Sequence, residues 1–173
     1  MLYTFDFPIQ SVSQSASLWG ALRVCVWTIT SSTLSNMGVY NYYVEHLLVP
    51  YTVFTVFMFL MISVYIIRVE SAFWKNIALL IFVIIMFPTI SYDYKLLYLL
   101  PLFLLFLTRE EKSRFDGYYL VLIALLFIPK NYYVFEPSRA PVNDFINIFI
   151  MLTVSGLIIY DGLKNASFRK HRG

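Results

Sequence analysis

The 173 residues are 60% hydrophobic and only 13% charged, with 13 Lys and Arg against 10 Asp and Glu for a net charge of +3. Globular domains average about 45–50% apolar and about 25% charged residues, so a soluble domain of this length could not hide so much apolar surface in one core. Lipid is the natural solvent for such a chain, and there each backbone group must be satisfied by helix formation.

Residues 1–46 open the chain without the basic start of a signal peptide, and Asp6, Pro8 and Gln10 interrupt any early apolar run. A chain that begins outside with no earlier span or signal is expected to be the carboxy-terminal part of a longer protein. Ser17 is placed to cap a helix over 18–29. With Trp19, Trp27 and a single charge at Arg23, that helix is expected to lie in the membrane interface or to re-enter it. A polar stretch, 28–36, then leads into Tyr40, Tyr42 and Tyr43.

Five apolar runs follow, at 47–67, 77–90, 96–107, 118–129 and 145–160, separated by short charged stretches. The first is apolar on all sides, whereas a helix of a soluble bundle shows polar residues at every third or fourth position. The expected fold is therefore an all-α integral membrane protein. It has about five transmembrane helices over 47–163, an amino-terminal interfacial or re-entrant helix within 1–46, and a basic tail over 164–173. Crossing the hydrocarbon takes about 20 residues, and 47–67 alone meets that length outright. Extending 96–107 to a full crossing draws Asp93 and Lys95 toward one membrane face.

Charge sets an orientation. With the amino-terminal region outside, the stretches 68–76, 108–117 and the tail hold nine of the 13 basic residues, leaving Arg23, Lys95, Lys130 and Arg139 outside. The positive-inside rule then places the amino terminus outside and the carboxy terminus in the cytoplasm. Tyr40, Tyr42, Tyr43, Tyr92, Tyr94, Tyr132 and Tyr133 all fall at the outer interface in this frame, where amphipathic rings are favoured. Asn-Tyr-Tyr-Val occurs at both 41–44 and 131–134, and reads as two pieces of one interfacial belt.

Cys25 is the only cysteine, and His46 and His171 lie far from it and from each other, so no metal spacing is present. Phosphate-loop, dinucleotide and nucleophile-elbow motifs are lacking, and no cofactor is expected. Asn165-Ala166-Ser167 is a glycosylation acceptor that this topology puts on the inside. The tail residues Arg169 to Arg172 follow a span and serve as a topogenic signal at anionic headgroups. Nucleic acid is not an expected partner.

Chemistry is concentrated in Ser91-Tyr92-Asp93-Tyr94-Lys95, a carboxylate and an ammonium between tyrosines at an outer hairpin. Ionisable groups at a membrane are functional suspects by default. Lys95 has the donors to hold a phosphate, and Asp93 can pair with it or hold a sugar hydroxyl. The same five residues also describe a plain salt-bridged turn.

Pro88-Thr89-Ile90-Ser91-Tyr92-Asp93-Tyr94-Lys95-Leu96, followed by an apolar run containing Pro101, resembles a segment of glycosyltransferase family 87. These are polytopic, GT-C-type enzymes that use polyprenyl-phosphate sugar donors. Upstream, Gln14-Ser15-Ala16-Ser17-Leu18-Trp19-Gly20-Ala21-Leu22-Arg23 resembles an outer-loop motif of the same family, with Ala16-Ser17 as an insertion. The resemblance covers about 100 residues, from Gln14 to Arg114. It implies transfer of a sugar from a lipid-linked phosphate to an acceptor hydroxyl at the outer face. Lys95 and Arg23 would stabilise the departing phosphate, and Asp93 and Tyr94 would orient the donor. The family's acidic catalytic residue usually sits in the first outer loop, and Asp6 is the only acid here before Glu45. The resemblance thus implies a carboxy-terminal part whose base lies in a missing amino-terminal half, so the catalytic residue is unknown and the chain would be inactive alone.

Two other classes compete. A non-catalytic polytopic subunit or scaffold, assembling with a larger membrane partner, suits the short spans and Ser155-Gly156 in the fifth run. A transporter half or channel subunit calls for charges or broken helices near the bilayer centre, where this chain offers only Pro50 and Pro101.

Overall fold

Helix formation follows the apolar runs but shifts their ends. The computed structural model describes residues 17–33, 37–89, 97–110, 112–128, 133–134 and 140–170. Among them lie six helices: α1 (Leu18–Thr33), α2 (Met37–Arg68), α3 (Phe73–Met86), α4 (Leu99–Thr108), α5 (Asp116–Phe127) and α6 (Val142–Lys170). A two-residue antiparallel pairing, β1 (Tyr133–Val134) with β2 (Ala140–Pro141), precedes α6, with Tyr133 opposite Pro141. Among the described residues the regular structure is thus helical apart from this short ladder. The segment 91–95, with Asp93, Tyr94 and Lys95, lies outside the described residues.

Ser17 caps α1 as its sequence suggests, accepting the Gly20 N–H on its hydroxyl at 3.1 Å. The helix runs antiparallel along the first half of α2. Trp19 packs 4.8 Å from Tyr51, and Trp27 packs 5.3 Å from Tyr40.

α2 is 32 residues long, or about 48 Å. It starts ten residues before the apolar run, because Tyr40 is buried against α1 rather than free in a loop. Two N–H groups, of Val69 and Glu70, converge on the Tyr65 carbonyl and close its end. In its most apolar 18-residue window only 11% is buried. Val53, Phe57, Leu60, Met61, Val64 and Ile67 are all more than half exposed. A core helix of a soluble protein would be mostly covered. Here the hydroxyls of Thr52, Thr55 and Ser63 turn back onto carbonyls of their own helix.

α3 is the packing centre. Ala78, Leu79, Phe82 and Ile85 are fully buried, together with Leu99 and Leu102 of α4, Tyr119 and Ile123 of α5, and Met151, Val154 and Ile158 of α6. At its far end the Tyr51 hydroxyl donates to the Phe87 carbonyl at 2.8 Å, tying α2 to the residue before Pro88. Since the first turn of α1 also packs on Tyr51 through Trp19, α1 and α3 lie one after the other along α2.

Five crossings are expected from the sequence, but among the described residues two helical stretches have the length and composition for one: Gly38–Arg68 and Phe145–Asn165. α3, α4 and α5, with 14, 10 and 12 residues, reach about 21, 15 and 18 Å, short of the roughly 30 Å hydrocarbon core. Each has a local stop. Phe87 precedes Pro88, and Ile128, which precedes Pro129, is already extended at ψ 120. Arg109 turns to extended backbone at ψ 146 and pairs with Asp116. α6, in contrast, continues from the fifth apolar run into the segment read as tail, as far as Lys170.

A charged cleft as candidate functional site

The three stretches that the charge pattern groups on one side come together at one end of the bundle. α2 ends there, α3 begins there, α4 turns into α5, and the last third of α6 passes alongside. Between them opens a cleft of about 490 Å³, walled by 69–72, Trp74 and Lys75, by 112–114, and by Asp161, Gly162 and Asn165.

Lys75 stands at its centre. The sequence places this residue in a loop, whereas it lies in the first turn of α3 and is 5% exposed. Its Nζ donates to Asp161 Oδ2 at 2.7 Å and stands 3.7 Å from Glu70 Oε2. Asp161, the first residue after the fifth apolar run, is inside α6 and 4% exposed. A buried charge is tolerated only when paired and hydrogen-bonded, and each of the three meets that condition. The Ser113 hydroxyl gives Asp161 Oδ2 a second hydrogen bond at 2.9 Å. Glu70 receives the Ala72 N–H on Oε1 at 3.0 Å, and the Tyr65 hydroxyl lies 3.2 Å from its Oε2. That hydroxyl also reaches the Ile158 carbonyl at 3.0 Å. One network therefore clamps α2, α3, the α4–α5 turn and α6.

The approach of Tyr65 needs a glycine. A Cβ on Gly162 would fall on the Tyr65 hydroxyl oxygen and 2.7 Å from Glu70 Oε2.

Below the cleft, an aromatic layer holds a second cation. The Arg109 guanidinium lies 3.8 Å from the Phe106 ring centre and 4.5 Å from that of Trp74, both within cation–π range. It also pairs with Asp116 Oδ1 at 2.6 Å. Asp116 Oδ1 accepts the Ser113 N–H at 2.9 Å as well, which sets the turn that delivers Ser113 to Asp161. Trp74 meets Tyr119 edge-on at 5.2 Å, sealing the core from the cleft.

The described site residue of the sequence reading lies toward the opposite end. Arg23, on α1, donates from Nε to the Tyr40 hydroxyl at 3.0 Å. This bond leaves the two terminal nitrogens of the fork for another partner. Lys95, Asp93 and Tyr94 belong to the segment outside the described residues. Arg23 and the entrance to that segment are nonetheless linked, since Trp19 packs on Tyr51 and Tyr51 holds Phe87. The Lys75–Asp161 pair was not legible beforehand, because its members are 86 residues apart. The one available signal was that charges flanking the second and fifth apolar runs were opposite in sign.

Compared with known protein families, with curated proteins and with solved structures, the chain matches none.

Proposed function

We propose that the chain is the carboxy-terminal part of a GT-C-type membrane glycosyltransferase, moving a sugar from a polyprenyl-phosphate donor to an acceptor hydroxyl at the outer membrane face. The observation that carries this reading is the Trp19–Tyr51–Phe87 connection. It brings the helix that bears one family-like segment, 14–23, to the exact residue that precedes the other, 88–96. The described parts of the two stretches, 17–23 and 88–89, are thereby linked through α2, which supports a donor site built from both.

In this reading Lys95 and the free nitrogens of Arg23 face the donor phosphate. A phosphate leaving group gains negative charge as the glycosidic bond breaks, and fixed cations stabilise that charge most where water is excluded. Asp93 and Tyr94 orient the sugar. The base that deprotonates the acceptor is supplied from outside the residues assigned here.

The membrane frame belongs to the same proposal. The exposed apolar face of α2 supports it. Five crossings require the short helices α3, α4 and α5 to span a thinned or flank-extended region, with the amino terminus outside and the cleft in the cytoplasm.

The test is sugar transfer from a radiolabelled polyprenyl-phosphate donor in membranes carrying the native protein. Lys95→Ala is expected to abolish transfer while membrane insertion stays intact. Undiminished transfer by that variant removes the site assignment. Tolerance of the substitution together with co-purification of a larger membrane protein would favour a non-catalytic subunit instead.

A further inference from the structure

We propose that the cleft at the end where α2 stops and α3 starts binds a phosphate group at the membrane surface, with Lys112 and Arg114 as its cationic lip. This inference needs the membrane frame but does not depend on the glycosyltransferase reading, whose donor site lies at the other end.

Charge in the cleft is divided by depth. Its wall carries three basic and two acidic side chains. The acids are turned inward, with side chains 5–6% exposed, and both are engaged by Lys75. Lys112 and Arg114 are exposed, and neither forms an ion pair among the described residues. In an ordinary surface patch the carboxylates would turn out to meet such cations. Here hydrogen bonds from Ala72, Tyr65 and Ser113 hold them in, and although Arg114 acts on Asp161 through space, three basic against two acidic side chains leave the wall with a net positive charge of one. Arg114 is also held in place, its guanidinium 4.6 Å from the Phe115 ring centre.

An arginine fork beside a lysine point charge is a phosphate-binding pair. The cleft volume of about 490 Å³ falls within the roughly 300–1,000 Å³ of small-molecule sites. Asn165 adds a neutral amide to the wall. The apolar stretch of α2 ends at Arg68, so the cleft opens at the depth where phospholipid phosphates lie. The phosphate can come from a lipid headgroup or from a soluble compound.

The full chain, reconstituted in nanodiscs of phosphatidylcholine, separates these sources. Short-chain phosphatidylglycerol is titrated with native mass spectrometry as readout, and inorganic phosphate with phosphorus NMR line broadening. At least one probe is expected to bind the wild type, about fivefold more weakly in Lys112→Ala or Arg114→Ala. The double variant should lose more, and Arg68→Ala, a cation at the same end outside the cleft, should change little. Lys112→Arg with Arg114→Lys should retain binding, which separates loss of charge from loss of fold. Phosphatidylglycerol as the sensitive probe assigns a lipid headgroup, and inorganic phosphate assigns a soluble ligand. Binding of neither probe, equal binding by wild type and double variant, or an equal loss in Arg68→Ala overturns the proposal.

Discussion

Gly162 permits the contact on which the clamp depends, since it lets the Tyr65 hydroxyl reach the backbone of α6 between the Ile158 carbonyl and Glu70. Any Cβ at that position overlaps the hydroxyl. Gly162→Ala is therefore expected to destabilise the protein by about 1–3 kcal/mol, the usual range for overpacking, measured by SDS titration of the protein in mixed micelles. Adding Tyr65→Phe should return part of that loss, because it removes the nearest clashing atom. A loss in the double variant equal to the sum of the single losses would sink this explanation. None of this was visible in the sequence, where Tyr65 reads as one aromatic among many in an apolar run. In the sequence Lys75 and Asp161 stand only as charges flanking the second and fifth apolar runs. Their burial follows from a pairing across 86 positions that no local pattern encodes.

At the scale of elements, the five apolar runs correspond to α2 to α6 and the Ser17 cap marks α1, but the ends differ where packing outweighs composition. α2 takes in Met37 to His46 because α1 covers its Tyr40, and α3 takes in Trp74 and Lys75 because both have partners. The short helices end at prolines or at the Arg109–Asp116 pair, and among the described residues two stretches have full crossing length. The more telling property of α2 is its bare apolar face. Nitroxide labels at Phe57 and Val64 are expected to meet molecular oxygen more readily than an aqueous nickel chelate in reconstituted bilayers. A label at Ile62, which is 8% exposed, should be shielded from both. Strong nickel accessibility at 57 and 64 would show that water, not lipid, covers this face.

For the molecule as a whole, the proposed membrane frame makes a prediction about which residues face the same side. The stretches 68–76, 108–117 and the segment after residue 160 carry most of the basic residues, and the structure gathers their parts around a single cleft. In the proposed membrane frame all three lie on one side of the bilayer. Away from the cleft, Tyr51 joins α1 to the exit of α3. The most direct test of this account is labelling by a membrane-impermeant maleimide of single cysteines at Ser71, Lys112 and Asn165, in a Cys25→Ser background. All three are expected to be protected in intact cells and labelled once the cells are opened. Labelling of one position but not the others in intact cells, or release of the protein from membranes by alkaline carbonate, would contradict it.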